Sequence, residues 1–161
     1  MSTSRLEPRN PQYAQRVHES FALQGIMQTL GARLGPVAPG SVDIALDWAP
    51  GLTQQHGFLH AGVVSAALDS ACGYAAFTLM PADAEVLTIE FKVNLLSPAR
   101  GPWFCCEAEV LKPGRTISVV EGRVWGASAP DDQANRKLVA SMSATVSSPP
   151  VRPTQTPMLM L

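Results

Sequence analysis

The chain has 161 residues, 46% of them hydrophobic and 16% charged, and a formal net charge of −1. That length suits one domain with a substantial core. The near-neutral balance argues against the broad basic surface of a nucleic-acid-binding protein, though not against a local basic patch for one phosphorylated ligand.

Three cysteines, Cys72, Cys105 and Cys106, form neither a CxxC pair nor an even-numbered framework, so they read as reduced thiols. The opening MSTSRLEPRN holds no apolar signal segment, and a cytoplasmic location is expected.

The first ten residues look loose. Apolar positions Val17, Phe21, Leu23, Ile26, Met27, Leu30 and Leu34 then predict an amphipathic helix over 11–34, interrupted at Gly25 and ending near Gly31 or Gly35. In SVDIALDW, Val42, Ile44, Leu46 and Trp48 alternate with Asp43, Ala45 and Asp47, the period of a half-buried strand. A loop over 49–60 is punctuated by Pro50, Gly51 and Gly57. The stretch HAGVVSAALDSACGYAAF, residues 60–77, reads as a helix of about five turns that Pro81 stops.

Strand-like runs follow at 86–96, 103–111, 116–128 and 137–148, with turns at 97–102, 112–115 and 129–136, and hairpin succession is expected. The expected division is an N-terminal extension with its helix over 1–40, a main domain over 41–147, and a Pro-rich tail over 148–161, extended or disordered. The order helix, strand, long apolar helix, four strands is an α+β pattern. Because the long helix has no consistently polar face, a curved antiparallel sheet must wrap around it.

That helix contains one carboxylate, Asp69. A buried unpaired carboxylate is costly, so it needs a partner or a use. His60-Ala61-Gly62 stands where the helix begins. There the first backbone N–H groups lack intrahelical partners and carry the positive end of the helix dipole, a natural place for a developing oxyanion. Eight residues of helix rise about 12 Å, so a substrate lying along the helix, or a break in its first turn, would have to bring Asp69 and these donors together.

Other readings of the same residues are weaker. A membrane span over 61–80 would bury Asp69 at a cost of about 2.5–3.5 kcal/mol. His56 and His60 stand four apart, but Gly57 between them and the lack of an HExxH carboxylate argue against a metal site. His60 is better placed to shape the helix start through hydrogen bonds. Cys72 has no histidine beside it in sequence and reads as a small hydrophobe. Lys112 and Arg115 flank a tight turn, which is either a solvated hairpin or a clasp for a phosphate.

Together, QQHGFLHAGVVSAALDSACGYAA, LTIEFKVNLLSPARG, LKPGRTISVVEG and KLVASMSATV resemble the hotdog-fold acyl-CoA thioesterases, in particular the PaaI-like group near the 4-hydroxybenzoyl-CoA thioesterases. The resemblance covers roughly residues 42–146. It implies the hotdog fold and a homodimer with two sites at its interface, dimers often pairing again into homotetramers.

It implies Asp69 as the catalytic carboxylate, Ala61 as the donor that polarises the thioester carbonyl with Gly62 beside it, and Gln54 as the group positioning the carbonyl or the water. Thr88 would come from the other protomer, and Lys112, Gly114 and Arg115 would meet the nucleotide end of CoA. The implied reaction turns an acyl-CoA into free acid and CoA, with no cofactor because CoA is part of the substrate, and with no metal, nucleic acid or membrane partner. One departure stands out: HAG replaces the usual HGG, and a positive φ would strain Ala61. The alternative is a non-catalytic acyl-CoA-binding module on the same fold.

Overall fold

The computed structural model describes residues 6–150. The predicted N-terminal helix is two helices, α1 (Tyr13–Leu23) and α2 (Gly25–Thr29). The break falls at Gln24, whose extended backbone (φ −80°, ψ 97°) separates them. Helical structure stops well short of residue 34, for a local reason. Gly31 adopts φ +63°, the Gly31 N–H donates to the Gln28 carbonyl, and the Ala32 N–H donates to the Met27 carbonyl. This is a Schellman ending, which glycine makes without a Cβ penalty.

The segment after it is a strand, β1 (Arg33–Ala38), pairing antiparallel with β2 (Ser41–Asp47). The sheet therefore starts at Arg33, ahead of residue 41. The sequence concealed this strand because Gly35 and Pro36 interrupt it. Proline is tolerated on an edge strand or at a bulge, and here the register shifts between Leu34 and Val37. The opening is less loose than expected. Leu6 packs against the core, and the side chain of buried Asn10 accepts the Gln12 N–H at 3.0 Å.

The remaining elements are α3 (Ala61–Phe77), β3 (Leu87–Leu95), β4 (Trp103–Lys112), β5 (Ile117–Ala127) and β6 (Lys137–Ser147). They form one antiparallel six-stranded sheet ordered β1-β2-β4-β5-β6-β3. The expected hairpin succession holds for β4, β5 and β6 but not for β3. That strand pairs with β6 at the far edge, while β4 inserts between β2 and β5. The segment 97–102, with Pro98 and Pro102, is a crossing and not a tight turn. The Leu59 N–H donates to the Ala99 carbonyl and the Trp48 N–H to the Pro102 carbonyl, which ties the crossing to the β2 end of the sheet.

The curved sheet packs around α3, the hotdog arrangement, with β2, β4, β5 and β6 against the helix. Alternation along β2 sends Val42, Ile44 and Leu46 into the core beside Leu68, Ala71 and Cys72 of α3. The helix and sheet approach closely at Gly122, where an added Cβ would stand 2.7 Å from Leu68 Cδ1 and 2.9 Å from Cys72 Sγ. Among the described residues no helix is long and apolar enough to cross a membrane; the apolar faces of α3 meet protein.

The outer face of the sheet carries its own half-buried acid. Asp43 on β2 stands opposite Glu107 on β4, and Glu107 is engaged by the Arg136 guanidinium and by Trp125 Nε1 at 2.8 Å. Burial, followed by the negative charge of Glu107, raises the Asp43 carboxyl to about 6 despite nearby Arg136. The folded state thus holds an extra proton between the ordinary carboxylate range and pH 6, so the ionised Asp43 is a stability penalty above pH 6 that fades as pH falls. Asp43→Asn is expected to raise stability at pH 8 by about 1 kcal/mol, allowing for solvent screening of a half-buried group. In paired thermal melts the gain should vanish near pH 4; an equal gain at both pH values would mean the acid's charge is not the cause.

Candidate active site

The loop ahead of α3 is built as a short brace. Pro50–Leu52 form a 3-10 turn, Thr53 bridges to Leu59, and the His60 N–H donates to the Leu52 carbonyl at 2.9 Å. Within it the Gln54 N–H donates to the Phe58 carbonyl at 2.9 Å, and the Gln54 side-chain carbonyl accepts the His56 N–H. With its oxygen held, the Gln54 amide offers its NH2 donors outward. Gln54 and Ala61 together line a cavity of about 400 Å3 walled by Val64, Leu95 and Leu96.

His60 is the N-cap of α3, with φ −63° and ψ 142°. Its Nδ1 accepts the Gly62 N–H at 2.9 Å. This corrects the pairing of Ala61 with Gly62 as oxyanion donors: the Gly62 N–H is already spent on the cap. The Ala61 N–H, at the first helical position, donates to no described residue. The departure from HGG also resolves, since no non-glycine residue among those described has positive φ. Ala61 sits in ordinary helical geometry without strain.

Asp69 lies two turns further on, half-buried, where Oδ1 accepts the Thr88 hydroxyl at 2.8 Å. Thr88, at the start of β3, is supplied by the same chain as the acid it holds. β3 runs beside α3 because it pairs with β6, and that pairing delivers the hydroxyl. Burial raises the Asp69 carboxyl above its ordinary range, and the Thr88 hydrogen bond partly offsets this. Among the described residues no cation pairs with Asp69. Cys72, one turn along, is inert as a nucleophile, since burial and then Asp69 push its thiol to about 12.

Asp69 and Thr88 line a second cavity of about 290 Å3, separate from that of Ala61 and Gln54. α3 runs unbroken from Ala61 to Phe77, so no kink closes the rise of about 12 Å between the donor and the acid. The sequence reading missed the far wall of the Asp69 cavity, formed by Ser20, Leu23 and Gln24 of the N-terminal helices. The only signal was the helix break, which the sequence placed one residue late.

Lys112 and Arg115 are exposed at the β4–β5 turn and line neither cavity. Gly114 between them is required by close approach, because an added Cβ would lie 1.8 Å from the Ile117 carbonyl oxygen. Its N–H donates to Ser118 Oγ at 3.3 Å.

Comparison with known proteins adds the lineage. The Thioesterase superfamily profile matches residues 56–129. A thioesterase family protein from Silicibacter pomeroyi is 50% identical, superposes with a TM-score of 0.81, and is covered over 98% of its length by 86% of this chain. A Saccharolobus solfataricus protein provisionally named as an esterase is 34% identical over 97 residues, 60% of this chain and 68% of that one. The E. coli PaaI protein from the phenylacetic acid degradation operon shares the fold, with a TM-score of 0.75 at 15% identity over 89% of this chain and 96% of that one. The matched stretch begins in the brace that presents Ala61, passes through Asp69 and reaches past the end of β5, and on this agreement of sequence and fold the chain belongs to the thioesterase superfamily.

Proposed function

We propose that the protein hydrolyses an acyl-CoA thioester to the free acid and CoA, and that each active site is completed by two copies of the chain. One observation carries this reading. An uncompensated carboxylate held by a hydroxyl lines one cavity, an unused backbone donor lines another, and the helix holds them about 12 Å apart. Neither half can act on a carbonyl alone. A two-fold related copy, with its α3 antiparallel, sets the Asp69 of one chain opposite the Ala61 of the other.

The surface for such pairing is present. β3 is an edge strand, and Leu87, Ile89, Phe91 and Leu95 on it are each more than 40% exposed, an arrangement that a solitary chain would have to protect. Association of dimers into a tetramer is part of the same proposal.

In the proposed reaction the thioester oxygen is held by the Ala61 N–H and the Gln54 amide. Asp69 takes a proton from water as its oxygen adds to the carbonyl carbon, and the negative charge passes to the thioester oxygen. Collapse of the tetrahedral adduct breaks the C–S bond. The thiolate departs without a strong acid, because thiols ionise near 8.5. In the competing route Asp69 attacks directly and forms a mixed anhydride that water cleaves. After a single turnover in water labelled with oxygen-18, label in the Asp69 carboxylate marks the anhydride route. Lys112 and Arg115 are suited to the phosphates of CoA, and the scheme needs no cofactor beyond the CoA that the substrate carries.

A thiol-release assay over aromatic, branched and medium-chain acyl-CoAs tests the proposal. Release with none of them would sink it, and tight binding without release would favour a non-catalytic module. Thr88→Val gives a second check. Without the hydroxyl the Asp69 carboxyl rises further, so the acidic limb of the kcat profile should move to higher pH, with the loss of kcat greatest at the acidic end. An unmoved limb would mean that Thr88 does not tune the acid.

A further inference from the structure

The Asp69 cavity contains more hydrogen-bonding capacity than hydrolysis requires. The N-terminal helices are fastened over it: the Arg16 guanidinium lies 3.9 Å from the centroid of the Phe77 ring and donates to the Pro81 carbonyl at 2.7 Å. Phe21 packs against Tyr74 with ring centroids 6.0 Å apart. This docking brings the α1–α2 break onto α3. There the Ser70 hydroxyl donates to Gln24 Oε1 at 3.2 Å, and the Ser20 and Tyr74 hydroxyls share a hydrogen bond of 3.2 Å.

Gln24 Nε2, by contrast, donates to no described residue. An amide whose oxygen is tied down has its acceptor used and its NH2 left as donor. Gln24 is only half-buried, so this NH2 is open to water or to a ligand in the cavity.

We infer that Gln24 is a specificity-determining residue, and that its amide, with the Ser20–Tyr74 hydroxyl pair, recognises a neutral hydrogen-bonding group on the acyl chain. This rests on the reading of the Asp69 cavity as the acyl site. Tyr74 follows Asp69 by five residues, about 7.5 Å along the helix, the reach of an extended chain of about six atoms. The group is neutral because no cation lines the cavity to hold an anion, and the Gln24 NH2 needs an acceptor, which an ammonium lacks. A second carboxylate would there face Asp69 without compensation.

The test compares hexanoyl-CoA, ω-hydroxyhexanoyl-CoA and adipoyl-CoA as substrates of the full chain. The wild type is expected to favour the hydroxylated chain over the plain one by about fivefold in kcat/KM, the worth of one neutral hydrogen bond, and to process adipoyl-CoA worst. Gln24→Met keeps the volume but removes the amide, and the hydroxyl preference should collapse to about one, mainly through KM. Tyr74→Phe should reduce it in part.

A purely structural role for Gln24 would lower both rates by the same factor and leave their ratio at the wild-type value, which overturns the inference. A wild type with no hydroxyl preference overturns it as well. If none of the three thioesters is hydrolysed, the hydrolytic reading fails separately. The Kd ratio for the corresponding non-hydrolysable thioethers, in wild type and Gln24→Met, then decides the role of Gln24 by the same criterion.

Discussion

Asp69→Asn is expected to lower kcat by about a thousandfold or more on every thioester the wild type hydrolyses, within the usual range for loss of a positioned general base. The protein should remain folded. The carboxamide is nearly the same size, and its oxygen still accepts the Thr88 hydroxyl that now reaches Asp69 Oδ1. Removing the charge also removes a desolvation penalty, since burial is the main cause of the raised Asp69 carboxyl. The thermal midpoint should therefore hold or rise in the neutral range, where the wild-type acid is ionised. Loss of activity with unchanged or improved stability distinguishes a functional acid from a structural one. Turnover near the wild-type rate would remove Asp69 from the mechanism.

Ala61→Pro is expected to cost about a hundredfold to a thousandfold in kcat, the loss seen when one oxyanion donor is removed. The substitution is unusually clean because the first helical position is where proline fits best, its missing N–H being one that the helix does not use. The preceding residue, His60, already has the extended backbone that proline demands of its neighbour. The helix should be no less stable than before.

The two variants together test the shared site. If donor and acid come from different chains, co-expressing Ala61→Pro with Asp69→Asn restores one intact site in each mixed dimer, about a quarter of wild-type activity at statistical assembly. If a single chain holds the whole site, no activity returns.

The local grammar of the chain was legible because it depends on near neighbours. Alternation marked β2, the all-round apolar run marked α3, and the turn residues separated β4, β5 and β6. The strand β1 was hidden because Gly35 and Pro36 erase its period, and only pairing with β2 makes it a strand. The partner of β3 was equally hidden, since nothing in LTIEFKVNL distinguishes pairing with β4 from pairing with β6. Partner choice depends on which surfaces the whole sheet can bury.

Ala61 shows the boundary most clearly. The sequence raised the question of its φ, and only the backbone of the folded helix answered it. Gly62 shows it in reverse: the spacing offered two donors, and the His60 cap removed one.

Asp69 was conspicuous by itself, because a lone carboxylate in an apolar helix demands an explanation that composition alone can request. The sequence by itself determined the elements and the presence of an acid and a helix start on one axis. Tertiary structure alone decided that Thr88 of the same chain holds that acid, that Gln24 from the N-terminal helices faces it, and that Ala61 opens into a different cavity. Hydrophobic period and helix capping act over a few residues, whereas which side chains meet across a cavity depends on how distant segments pack.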